Sequence, residues 1–344
     1  MARKTNMLVL GAWCALLVAS TAPCLAQRQP HTFFRDTIKF TDAEISKIDQ
    51  GQVVTKKIDD ENKYGLLVVG AVYINATIDE FAEVFRDFES LEKERVYQIV
   101  KGFGNPPKLS DFDRLALTNK DIDELEDCKP GDCEIQIRDF DAIKDIDWKS
   151  NDRYDNINRM VRKRVFDGME LYGEGGLKSL GSYRDRKKPL NLYEATKAML
   201  DRSSLVPRDR APEIYDHLID YPASKKEGAE DIFYWEKIDF GQEPTFRVNH
   251  ATLFPGGAGA VKYVAVIKQL FSSRYMRVAA QLFYCVPDTQ NPNRPGFYLI
   301  EVNDSQLPDF GGFKLAIVKR IAGSTATEAT TDALTIYHRK LSSR

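Results

Sequence analysis

Residues 231–303 run through several long alternating segments, and the chain closes on one long helical stretch over residues 313–341. That order constrains the fold more than any other feature. Within residues 244–254, Phe246, Val248, His250, Thr252 and Phe254 share one face, and Arg247, Asn249 and Ala251 the other. Within residues 275–286, Met276, Val278, Ala280, Leu282 and Tyr284 oppose Arg277, Ala279 and Gln281. Alternation sustained this long predicts antiparallel strands of about ten residues, roughly 33 Å each. Gly241, Pro255-Gly256-Gly257 and residues 292–296 supply turns. The terminal helix would extend about 44 Å. A sheet of this kind must cover an apolar face, and a helix of similar length is available to cover it.

A strand–helix pair far upstream reads as the other end of the same sheet. Residues 66–74 are almost continuously apolar, which predicts a strand covered on both faces. Thr77 and Glu80 then form a capping box, and Phe81, Val84, Phe85 and Phe88 recur at helical spacing. A second capping box, Thr41 with Glu44, opens a short helix that Gly51 ends. From about residue 93 to 230 the character changes. Gly102, Gly104, Pro106 and Pro107 interrupt the chain, and helical patterns follow. The clearest spans 152–172, with Tyr154, Ile157, Val161, Val165, Met169 and Tyr172 on one stripe; 192–202 and 212–220 read as shorter helices. This stretch reads as a helical insertion, because without the later strands the upstream pair would have no partners.

Residues 1–26 read as a signal peptide. Arg3 and Lys4 precede an apolar core from Met7 to Ala19, and small residues lead up to cleavage near Ala26. The expected location is therefore exported, periplasmic or extracellular. Removing Arg3 and Lys4 leaves 47 basic against 51 acidic residues, a balance that argues against nucleic acid as partner. Charge is unevenly placed, with 13 acidic and 5 basic residues over 111–147, then 9 basic and 4 acidic over 159–188. Solvated faces of neighbouring helices account for this. A basic patch making transient contact with a membrane surface is the sharper alternative. Cys128 and Cys133 flank Lys-Pro-Gly-Asp, in which Pro130 and Gly131 favour a type II turn. In an oxidising compartment the pair should form a disulfide, whereas Cys285, in an apolar strand, reads as a buried free thiol.

The order strand, helix, interruption, antiparallel meander and terminal helix resembles the helix-grip fold of the START-like (SRPBCC) superfamily. The resemblance spans residues 64–90 and 231–341, under half of the mature chain, and rests on topology rather than on a signature. It implies an α+β fold in which a curved antiparallel sheet grips the C-terminal helix. Residues 27–344 would then form one domain, with the large helical insertion as a departure. The resemblance also implies a cavity between sheet and helix that holds a lipid or other hydrophobic small molecule. Some relatives use that cavity for chemistry, but no invariant catalytic set comes with the superfamily.

Several residues are candidates for the lining of such a cavity. On the presumed inner face stand Phe246, His250, Met276, Leu282 and Tyr284, with Tyr234 and Glu236 from the preceding strand. Trp235 joins them if its face turns inward. A three-residue turn at 241–243 would set Tyr234 opposite His250 with Glu236 diagonal to it. Carboxylate, phenol and imidazole could then orient a ligand or carry out acid–base chemistry. A register shift of one residue would undo that grouping. Ala322, Ala326, Ala329 and Ala333 form a stripe of small residues on the terminal helix, which leaves room for a ligand or permits closer packing. No catalytic, metal or cofactor motif is apparent. Residues 255–259 lack the ending of a phosphate loop, Asp121 to Glu126 lacks the calcium-loop glycine, and no nucleophile elbow occurs.

Overall fold

The computed structural model describes residues 30–138, 141–202, 211–239, 243–255, 263–288 and 295–343. Residues 1–26, expected from sequence to be a signal peptide, and the expected turn positions Gly241, Gly256, Gly257 and 292–294 lie outside them. The described chain is α+β. Its centre is an eight-stranded antiparallel sheet in the order β1 (Val54–Ile58), β2 (Gly65–Ile74), β10 (Phe297–Gln306), β9 (Val278–Pro287), β8 (Tyr263–Ser272), β7 (Thr245–Pro255), β6 (Glu230–Ile238) and β3 (Tyr97–Phe103). The remaining strands, β4 (Ser182–Tyr183) and β5 (Leu190–Asn191), form a small separate ladder. The helices are α1 (Pro30–Phe33), α2 (Asp42–Asp49), α3 (Ile78–Arg86), α4 (Asn119–Glu126), α5 (Asp141–Lys144), α6 (Arg153–Gly175), α7 (Leu192–Arg202), α8 (Pro212–Asp220) and the long terminal α9 (Gly312–Ser342). None of the described helices is long and apolar enough to cross a membrane.

Local signals place these elements. Both capping boxes form, with Thr41 and Thr77 accepting from the amides of Glu44 and Glu80 while those glutamates bond back. The apolar run of β2 is buried at nine of its ten positions, because helices cover both faces of the sheet. On one face Val72, Ile74, Phe81, Phe85, Phe283 and Leu334 join α3 and α9 into a core. On the other, Val69, Phe246, Val248 and Phe254 pack against α6, α7, α8 and the N-terminal helices. Cys128 and Cys133 lie at disulfide distance, with Cα atoms 4.9 Å apart, and Cys285 is buried and free.

The structure departs from the sequence expectations in three places. The stretch read as helical from residue 93 opens with β3, the edge strand that pairs with β6; β1, at the other edge, was not anticipated either. Strand β9 begins at Val278 rather than at 275, because Tyr275 takes a left-handed φ of 66° and Met276 lies in the turn. The β6–β7 register also differs by one. Ile238 pairs with Thr245, so Tyr234 faces Asn249 and Phe233 faces His250. Six residues separate Ile238 from Thr245, and an even-numbered connection exchanges the faces relative to an odd one.

Candidate functional site: a cavity beneath the terminal helix

The α9 face of the sheet has two halves. At the α3 end its side chains are apolar and meet α9 directly. There Gly70 lets the helix approach, and Leu334 and Tyr337 fill the interface. Toward the other end the same face becomes polar, with Thr245 and Arg247 on β7, Gln281 on β9 and Asn303 and Ser305 on β10. Above these residues α9 offers Val318, Ile321, Ala322, Ala326, Ala329 and Ala333, and side chains this short do not close the gap. A cavity of about 490 Å³ remains between sheet and helix, a size typical of small-molecule sites. All four alanines of the stripe line it, as does Met276.

The electrostatics of the lining are nearly closed. Glu236 accepts from Arg247 Nε at 2.9 Å, from Arg247 Nη2 at 2.6 Å and from Asn249 Nδ2 at 2.8 Å. Arg274, at the rim, is held by Asp121 and Glu124, and Arg186 by Glu134 at 3.0 Å. Gln136 and Gln269 both donate to the Met276 carbonyl, at 2.9 and 3.1 Å. Those two bonds fix the amide orientations and leave the Gln136 Oε1 without a protein partner. Asp185 lines the same cavity; Arg277 takes its Oδ2, and its Oδ1 stays unpartnered. Burial raises the Asp185 pKa, partly offset by Arg277. The unfilled groups on this wall are thus chiefly acceptors. One donor, Arg186 Nε, also lacks a hydrogen bond, 3.8 Å from Asp185.

The sequence-nominated residues divide between the two faces. Met276, Ala326 and Ala329 line the cavity. Tyr234 and Glu236 share its face but are covered: Tyr234 packs on Phe88 with ring centroids 5.0 Å apart, and Glu236 is spent on Arg247 and Asn249. Trp235, Phe246, His250, Leu282 and Tyr284 point to the opposite face and do not line it. Trp235 is fully buried there, its indole donating to the Asp111 carbonyl at 3.0 Å. Phe246 borders a second, apolar cavity of about 300 Å³ beneath α6. The expected grouping of Tyr234, Glu236 and His250 therefore does not form. Both faces of β7 are buried, and its larger apolar side chains lie on the face away from α9.

His250 instead belongs to a closed polar cluster. Its Nε2 and that of His217 each lie 2.9 Å from Asp231 Oδ1, and Thr252 Oγ1 donates to the same oxygen at 3.3 Å. The Lys226 amide donates to His217 Nδ1 at 3.0 Å, so the proton of that ring sits on Nε2. The ionised Asp231 carboxylate can only accept, which puts the His250 proton on Nε2 and makes Tyr172, 2.7 Å from Nδ1, the donor there. Neither ring then has a lone pair directed at a shared cation, although the three side chains are close enough to suggest one. Burial lowers the His250 pKa to about 3, against the Asp231 hydrogen bond that raises it. Sequence reasoning missed His217, yet it lies three residues after Ile214 and one before Leu218 on the apolar stripe of α8. The polar floor was missed because Asn303 and Ser305 alternate as a solvent-facing strand would.

No protein family, no curated protein and no solved structure matches this chain.

Proposed function

We propose that the protein is an exported binder or carrier of a small amphipathic molecule, held between the sheet and α9. One observation carries this reading: the alanine stripe roofs a cavity of about 490 Å³ whose floor is hydrogen-bonding rather than apolar. A guest with no polar group at all would leave Gln136 Oε1 and Asp185 Oδ1 without partners, at a cost of about 1–3 kcal/mol for each. An ionised head group fares no better, since Arg247, Arg274 and Arg186 are already occupied by carboxylates. A neutral molecule with an apolar side for α9 and hydroxyl or amide donors for Gln136 and Asp185 suits both walls. Sheet, terminal helix and intervening cavity follow the order that the START-like resemblance implies. On this reading residues 104–229 are an insertion that covers the second face of the sheet.

The acid–base alternative loses its motivation, because His250 is separated from the cavity by the sheet. The test is an organic extract of the purified mature protein, analysed by mass spectrometry, alongside Ala329→Phe. The expected result is a co-purifying neutral amphiphile that the variant lacks while its melting temperature holds or rises. Equal ligand content in the two proteins, or none in either across several expression hosts, overturns the proposal.

A further inference from the structure

The buried residues of α9 begin at Gly323. Seven lie between there and Leu341, and residues 312–322 contribute none. The first three turns of the helix are thus its least covered part, touching the body through the cavity lining and through Lys314 and Lys319, and their sequence is unsuited to water. Phe313, Ile317 and Ile321 are spaced four apart, so they form one ridge, and they are 82%, 44% and 48% exposed. They are three of the five large apolar side chains exposed among the described residues. At helical spacing Lys314 and Arg320 flank this ridge on its two sides, and Lys319 follows on the far face. No Asp or Glu occurs from Phe310 to Thr327.

We propose that this part of α9 is a peripheral docking element for an anionic lipid bilayer. An apolar ridge flanked by long-stemmed cations is the pattern that sinks its ridge to the acyl boundary and raises its charges to the head groups. Phe310, just before the helix, has Arg186 and Lys314 over its ring with centroid distances of 5.0 and 4.7 Å, which extends the same basic and aromatic surface. A protein partner would be expected to find donors and acceptors of both signs, and residues 310–321 of this segment supply only apolar groups and cations, with Glu134 beside Lys314 as the nearby carboxylate. The basic segment 159–188, the membrane-contact candidate in the sequence, is partly neutralised in the fold, with Arg186 on Glu134, Lys163 on Asp167 and Lys178 on Asp220. On the α9 ridge Lys314 is 3.5 Å from the same Glu134, whereas none of the described ion pairs engages Arg320.

Val318, Ile321 and Ala322 also line the cavity, so the docked turns are its roof. A guest could pass between bilayer and cavity there without crossing bulk water. That link rests on the proposed cargo reading; the docking itself does not.

The experiment is co-sedimentation of the full mature chain with vesicles of phosphatidylcholine alone and with added phosphatidylglycerol, at low and high salt. Binding is expected on the anionic vesicles, weakened by salt. Changing Arg320→Gln should reduce partitioning about fivefold, and Lys314→Gln by less, because Glu134 already offsets part of the Lys314 charge. The combined change Phe313→Ser, Ile317→Ser and Ile321→Ser should abolish it without altering the far-UV spectrum or thermal midpoint, because these side chains make no core. An Ala329→Phe protein should bind vesicles normally even if it carries no guest, which separates failure of docking from failure of the cargo reading. Absence of wild-type binding to anionic vesicles overturns the proposal, as does undiminished binding by the triple variant. A wild-type dimer that the triple variant converts to a monomer also overturns it, because the ridge would then belong to a second copy of the chain.

Discussion

Gly70 lies directly under Leu334, and a methyl group built on Gly70 would come within 2.5 Å of the Leu334 Cδ1. The same methyl would meet Thr330 Cγ2 at 2.9 Å and Thr55 Cγ2 at 3.0 Å. Leu334 and Thr330 are fully buried, so neither has space to turn away. This contact anchors the C-terminal half of α9 while its N-terminal half arches over the cavity. Ordinarily Gly→Ala in a strand gains about 0.5–1 kcal/mol by removing unfolded-state freedom. Here Gly70→Ala should lose about 1–3 kcal/mol through overpacking. Urea denaturation measures the difference, and a neutral or stabilising result would mean that α9 rides on the sheet more loosely than described.

Lys268 is buried on the opposite face, donating to the Leu218 carbonyl and lying 5.5 Å from the Tyr172 ring centre. Burial pulls its pKa down to about 7, against the opposing influence of Asp231 and Asp220. The unfolded chain holds its lysine protons up to about pH 10.4. Between these values the unfolded state binds more protons than the folded one, so stability rises with pH across the window. Lys268→Met removes that dependence. The variant should gain on the wild type by roughly 3–5 kcal/mol near pH 7 or below, before any loss from the abandoned Leu218 carbonyl, and the gain should shrink toward pH 10. Denaturation of both proteins across that range provides the check. A stability difference that does not change with pH would show that the ammonium finds compensation in the fold.

Much of this architecture was legible in the residues. Capping boxes at Thr41 and Thr77, the stripe of α6 and the bounds of α7 and α8 are local signals, and local signals survive folding. The alanine stripe was readable because only geometry along one helix was needed. What failed was choice between faces. Phe246 and His250 alternate correctly on β7, but alternation cannot say which face receives α9 when both are buried. The parity of a single connection, 239–244, decides only which side of β6 joins His250. The floor of the cavity failed for a related reason. Asn303 and Ser305 look like solvent-facing residues, and they are covered only because α9 bridges over them at a distance. The edge strands β1 and β3 are short and rich in lysine and glycine, so their pattern is weak.

Glu301 offers the most direct probe of the ground between the packed and hollow halves. It sits on β10 between Gly70 of β2 and Phe283 of β9, and it is fully buried. Gln281 Nε2 approaches its Oε1 at 3.5 Å, and its Oε2 has no partner. Burial alone drives its pKa well above the ordinary carboxylate value, which favours the protonated form in the folded chain. In the unfolded chain it ionises at about pH 4.3. The protein therefore loses stability from this group as pH rises above that value, because the unfolded state alone can release the proton. Glu301→Gln keeps the shape and the neutral charge while removing the release. Its advantage over wild type should be small near pH 4 and grow by about 1.4 kcal/mol for each pH unit above the unfolded value until the buried carboxyl itself ionises. Parallel denaturation curves at pH 4 and pH 7 read this out. A variant that is less stable than wild type at both pH values, by the same margin, would mean that Glu301 is held as a carboxylate and that the packed half of this face is more polar than its neighbours imply.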